Sequence, residues 1–284
     1  MNSRKTVIYS LTMALLAAGC FVRGERREVR IVRSWPAAAI HHLEVREVDG
    51  TISVEATPSN EIGLVANVRA RGKAPNPRAE NQGYFKTDVE GDTLVIGRDK
   101  ERRSFHFHLF QISDVRIDYE LQVPESIAVD LRTVNGRIAT RGVAGETSAT
   151  TVNGEVEIES PGSSEVEAHA INGRVSAKFV RDFHGAVLRT VNGRVVAVLP
   201  QNASFSGDFA QVNGDVEAAF PLSIHSHPGS RRVSGEVNGG RYSLRITTVN
   251  GDIKIDTVAA PPAPVVPETP AAPTAAPAQP APRT

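Results

Sequence analysis

Thr190-Val191-Asn192-Gly193-Arg194-Val195 is the stretch that decides the fold, because its pattern returns along the chain. It appears as Thr-Val-Asn-Gly-Arg-Ile at 133–138, Thr-Val-Asn-Gly-Glu-Val at 151–156 and Ala-Ile-Asn-Gly-Arg-Val at 170–175. Beyond Val195 it returns as Gln-Val-Asn-Gly-Asp-Val at 211–216 and Thr-Val-Asn-Gly-Asp-Ile at 248–253. The pairs Asn135-Gly136, Asn153-Gly154, Asn172-Gly173, Asn192-Gly193, Asn213-Gly214 and Asn250-Gly251 are separated by 18, 19, 20, 21 and 37 residues. The last gap is read as hiding a seventh copy, Arg232 to Val237, with Ser234-Gly235 in the turn. A period near 20 is the mark of a stacked architecture, in which each repeat covers the apolar face of its neighbour.

Aligned on the turn, the copies predict which side chains point inward. The Val or Ile one residue before it (134, 152, 171, 191, 212, 233, 249) and the one three after it (138, 156, 175, 195, 216, 237, 253) form two expected core columns. Between them runs a charged column, Arg137, Glu155, Arg174, Arg194, Asp215, Glu236 and Asp252, expected to face solvent. Alternation continues downstream, as in Val175, Ala177 and Phe179. An Asn-Gly pair between apolar alternations ordinarily marks a hairpin. Separate hairpins would each leave an apolar face bare, so stacking with Asn-Gly at a corner is the better reading. The expected fold is all-β, a single-stranded β-helix-like solenoid of about seven repeats, roughly 30 Å long at 4.8 Å per coil.

Outside the repeats the chain divides by composition. Residues 1–19 read as a signal peptide: Arg4 and Lys5, then an apolar run from Val7 to Ala18 that is short for a membrane span. Leu15 to Gly19 before Cys20 is similar to a bacterial lipobox, which makes Cys20 the expected lipidation site and 20–27 an anchor and tether. An ordinary signal-peptidase cut, leaving a free thiol, is the alternative. Residues 28–125 form an irregular β-rich part, in which Val48-Asp49-Gly50-Thr51-Ile52 is an outlying turn copy and 72–83 a polar loop. The solenoid repeats occupy 126–256. Residues 257–284 carry nine of the 18 prolines among alanines and read as a disordered Pro/Ala-rich tail.

Composition excludes several classes of function. Thirty-two basic against 32 acidic residues remove the bulk attraction of a nucleic-acid binder. A single cysteine rules out an intramolecular disulfide and multi-thiolate zinc sites. His106/His108 and His225/His227 are His-x-His pairs that still need a third ligand, so no metal or other cofactor is expected. Asp215, Glu236 and Asp252 would lie on successive coils, the basis of an alternative reading as a polysaccharide-active β-helix enzyme. An outward column that holds either sign of charge fits a solvated surface better.

Leu121 to Pro124, the seven turn motifs, Leu199-Pro200 and the Gly239 to Ile255 stretch together resemble a bacterial family of adhesin, or toast-rack, domains. The resemblance covers about Leu43 to Ile255. It implies a β-helix-like envelope protein, often linked to membrane-stress systems, with no catalytic residues to carry over. The sequence reading is therefore a non-enzymatic lipoprotein of the bacterial cell envelope, in the periplasm or at the cell surface. It would present its solenoid surface for adhesion, or to an unknown envelope protein or surface polymer.

Overall fold

The computed structural model describes residues 26–71, 84–97, 114–162, 164–220, 223–227 and 230–258, and is nearly all β-strand. The calls on the signal peptide, Cys20, the loop at 72–83, His106/His108 and the Pro/Ala tail lie outside these residues. Two sheets, of ten and eleven strands, are built by a chain that crosses from one to the other at each Asn-Gly corner.

Each coil is one strand, a corner and a second strand. The corner at Asn135-Gly136 joins β8 (Ala128–Asn135) to β9 (Ile138–Arg141), and the next joins β10 (Thr147–Asn153) to β11 (Val156–Ser160). Then come β12 (Val166–Asn172) with β13 (Val175–Phe179), and β14 (Ala186–Asn192) with β15 (Val195–Pro200). Equivalent strands pair in parallel and in exact repeat register, Asn135 with Asn153, Asn153 with Asn172, Asn172 with Asn192. That parallel register is the stacked solenoid expected from the repeat.

The outlying copy at Asp49-Gly50 is a full coil, joining β2 (His42–Arg46) and β3 (Ile52–Thr57), which pair in parallel with β8 and β9. The ten-stranded sheet is extended at that end by β7 (Asp114–Pro124), parallel to β3, and by the antiparallel β4 (Glu61–Arg71) and β1 (Arg26–Pro36). The other sheet ends there in β6 (Thr93–Gly97) and β5 (Lys86–Glu90).

Ser234-Gly235 is not a corner. It lies inside β19 (Ser230–Val237), which runs antiparallel to β16 (Phe205–Asn213), with Ser234 opposite Asp208 and Gly235 opposite Gly207. With β18 (Ser223–His227), β19 closes the C-terminal end of the eleven-stranded sheet. The count of seven coils stands, but the seventh is Asp49-Gly50.

The coil order also departs from the chain order. The last pair, β20 (Tyr242–Asn250) and β21 (Ile253–Val258), inserts between the β14–β15 coil and the coil of β16 and β17 (Val216–Ala218). Corners therefore stack in the order 49, 135, 153, 172, 192, 250, 213. Glu236 drops out of the charged column, opposite Ser206, and Asp252 falls between Arg194 and Asp215.

The core also differs from the expected columns. Ile138, Val156, Val175, Val195 and Ile253, three residues after the turn, are fully buried, as read. The column one residue before the turn points out: Val134, Ile171, Val191, Val212 and Val249 are 38–49% exposed, and Val152 is half-buried. Val233 is buried, but in β19 and not at a corner. The inward position is two residues before the turn, held by Thr133, Thr151, Ala170, Thr190, Gln211 and Thr248. At four of these six positions the inward side chain also satisfies a glycine carbonyl at a bend, a bond that Ala170 and Thr133 do not make. Thr151, Thr190 and Thr248 Oγ1 donate to Gly136, Gly173 and Gly193 O at 3.2, 3.1 and 3.3 Å. Gln211 Nε2 donates to Gly214 O at 2.7 Å. Where the bond is made, valine in the inward slot would lose it.

Candidate binding surface

The corner edge is built from the Asn-Gly pairs upward. Asn213 Nδ2 donates to Asn250 Oδ1 at 2.7 Å, Asn250 to Asn192 at 2.8 Å and Asn192 to Asn172 at 2.8 Å. Asn172 then donates to Asn153 at 2.9 Å, Asn153 to Asn135 at 2.9 Å and Asn135 to Asp49 Oδ1 at 2.8 Å. All the amides point the same way and the chain of bonds ends on a carboxylate. Each amide polarises the next, and a charge-assisted bond stands at the terminus.

Glycine follows each Asn because corners stack too closely for a Cβ. One added at Gly136, Gly154, Gly173, Gly193, Gly251 or Gly214 would lie 1.6–2.2 Å from the carbonyl oxygen of the adjacent corner's glycine. At Gly193 the φ is not in the left-handed region, so close approach alone demands glycine there.

Flanking the ladder on one side is the outward Val/Ile row, to which Val48 of the first coil belongs at 41% exposure. On the other side lies the charged column. Arg194 donates to Asp252 at 2.9 Å, and this bond, with the Asp215 backbone N–H at 3.3 Å, holds the Asp252 carboxyl below the usual range. Arg137 pairs with Glu157 of the next coil, and Lys178 with Glu159 at 3.5 Å. The column and the rows beside it form a lattice of exposed ion pairs, each worth little by itself.

The outer face of the ten-stranded sheet carries a hollow of about 660 Å³ across β1, β4, β7, β3, β9 and β11. Arg33, Arg137 and Arg141 face Glu120, Glu157 and Glu159 around it. Of the lining residues, the sequence reading named Arg137 in the charged column, Thr51 in the outlying turn copy and Leu121 in the stretch to Pro124, none of them as a binding residue. The others were legible only as outward positions of unpaired strands, since the hollow exists only where the antiparallel β1 and β4 adjoin the parallel coils. Of the acids proposed for an enzyme, Glu236 is remote from the column in register, and Asp252 is held ionised by an arginine. A general acid needs the opposite, a carboxyl raised by burial or a like charge.

His42 lies 3.9 Å from Asp92, and His225 and His227 fall on β18. No group of three metal-binding side chains occurs among the described residues, and no helix among them is long and apolar enough to cross a membrane.

A family model described as Toastrack DUF4097 matches residues 4–256. No curated protein matches the chain. Among solved structures, a candidate cell adhesion protein from Clostridium sporogenes is 11% identical, covering 82% of this chain and all of that one, with a TM-score of 0.45. A candidate adhesin from Bacteroides fragilis is 12% identical, covering 83% of this chain and all of the other, with a TM-score of 0.32. A candidate lipid binding protein from Parabacteroides distasonis is 10% identical, covering 81% and 96%, with a TM-score of 0.34.

Proposed function

The chain belongs to the Toastrack DUF4097 family, and from that premise we propose that it is a non-enzymatic, lipid-anchored protein of the bacterial cell envelope that binds a surface polymer or an envelope protein. The observation that carries the binding role is the hollow on the ten-stranded sheet, where both signs of charge are arrayed on a rigid, backbone-paired surface. Such a surface positions polar contacts without ordering cost at the moment of binding. The lowered carboxyl of Asp252 supports a non-catalytic surface. The lipobox at Cys20 supports the anchor, since buried acyl chains contribute about 0.8 kcal/mol per CH₂ and two or more hold a protein on a bilayer. A role in envelope stress rests on the family resemblance alone.

Two measurements test the reading. Purified protein should co-sediment with envelope fragments of its own cells, and the double variant Arg137→Glu, Arg141→Glu should bind at least fivefold more weakly. Equal binding by the two proteins would remove the hollow from the proposal. Metabolic labelling with a fatty-acid analogue should mark the wild type and not Cys20→Ser. An unlabelled, soluble wild type would end the anchor reading.

A further inference from the structure

One branched aliphatic side chain per coil stands along the corner edge, from Val48 at one end through Ile171, the fourth of seven, to Val212 at the other. Six of the seven are 38–49% exposed. At about 4.8 Å per coil the row is roughly 29 Å long, and continuous apolar rows of this length on a soluble surface are uncommon and mark contact sites. The amide ladder beside the row already bonds its asparagines to one another, so drying this strip leaves fewer polar groups to satisfy.

The edge is complementary to itself when reversed. Backbone bonds from coil to coil set the order of the outward column: Thr51, then Arg137 and Glu155, Arg174 on the middle coil, then Arg194, Asp252 and Asp215. A two-fold axis lying across the edge at Ile171 sets a second copy against the first with the two rows antiparallel. Val134 then meets Val249, Val152 meets Val191, and Ile171 meets its own equivalent. In the column Arg137 faces Asp252 and Glu155 faces Arg194, and the symmetry makes each of these pairs twice. Thr51 faces Asp215. Only Arg174 meets its own kind, one coil away from Glu155.

The other flank of the row agrees. Three residues before each Asn, Arg132 falls opposite Thr247 and Thr150 opposite Arg189. His169, which bonds Glu167 at 2.9 Å in its own chain, lies at the axis. Size agrees as well. Four outward positions per coil over seven coils present about 28 residues, within the roughly 20–30 a side of a stable interface.

We propose that the corner edge is a two-fold interface through which two copies of this chain pair in antiparallel fashion. The apolar row supplies the burial, and the charges beside it fix direction and register. The pairing does not rest on what the hollow binds.

Single cysteines placed in the full chain carrying Cys20→Ser, where each is the sole thiol, test the arrangement under mild oxidation. Ile171→Cys should give a disulfide-linked dimer on a non-reducing gel. Val134→Cys and Val249→Cys should each stay monomeric alone, because four coils or about 19 Å would separate the equivalent residues, and should crosslink when the two are mixed. Sedimentation of purified Cys20→Ser protein should show a dimer at micromolar concentration. Adding Ile171→Asp, at an exposed position, should raise its dissociation constant at least tenfold with the melting temperature of the fold unchanged. A protein that stays monomeric to 100 μM would overturn the proposal, as would a dimer indifferent to Ile171→Asp. Crosslinking of Val134→Cys and Val249→Cys to themselves as readily as Ile171→Cys would overturn it too, since it would show the rows running parallel.

Discussion

Gly193 shows how narrowly one position is specified. The repeat marks it as a glycine corner, and left-handed backbone is the usual reason for glycine in an Asn-Gly pair. Here the reason is contact: a Cβ would sit 1.9 Å from Gly173 O. Gly193→Ala should therefore destabilise by about 3 kcal/mol, at the upper end for overpacking, because backbone has to move. Gly63→Ala, where the nearest atom is 3.8 Å away, should change little. Urea midpoints of the two variants check this, and equal midpoints would remove the close-stacking account. Asp252 makes a pH-dependent contribution. Its folded pKa is lowered, first by the Arg194 hydrogen bond and then by the Asp215 backbone, so its stabilisation is present above the unfolded carboxylate pKa of about 3.9 and is lost as pH falls through the folded value. The advantage of wild type over Asp252→Asn should be measurable at pH 7 and should shrink as pH falls below the unfolded carboxylate range, by urea unfolding across that range. An unchanged difference at low pH would contradict it.

Among the elements, β20 and β21 have the most consequential placement. They are last in the described chain, yet they are the shared neighbours of β14 with β16 and of β15 with β17. The β16–β17 coil is thus joined to the main stack only through strands made after it, and loop closure must span the β18–β19 hairpin first. A chain ending at Asn238 should keep slow amide exchange in residues 128–179 and lose it in β16 and β19. Retained protection of β16 would mean that the gap closes without β20. The Val/Ile row teaches a related lesson about strands. Alternation assigns two faces but not which is inner, and a shift of one residue exchanges them. At three of the corners Thr151, Thr190 and Thr248 take the inner face with hydroxyls bonded to glycine carbonyls.

For the whole molecule, the solenoid makes a continuous core from Ile40 to Ile255 while its outer faces carry exposed ion pairs such as Lys178 with Glu159 and Arg194 with Asp252. The triple variant Asp215→Asn, Glu236→Gln, Asp252→Asn should accordingly keep its fold and its envelope binding at pH 7, since exposed pairs contribute under about 1 kcal/mol each. Circular dichroism melts and co-sedimentation check both. If purified protein degrades an envelope polysaccharide and the triple variant does not, the binding reading yields to the enzyme.

The repeat by itself determined that parallel strands stack with Asn-Gly at the corners, because a side chain recurring at a fixed period can pair only with its own equivalent above and below. The buried column after the turn and the charged outward column followed from alternation along each strand. Tertiary structure alone decided three things. It placed the 250 corner between 192 and 213, because strand order is set by which edges are free to pair and not by chain order. It made Asp49-Gly50 the seventh coil in place of Ser234-Gly235, since aspartate can accept from the end of an amide ladder while β19 is committed to antiparallel pairing. It also turned the valines before each corner outward and created the hollow beside β1 and β4, because both depend on how neighbouring coils and strands meet, which no single strand's sequence contains.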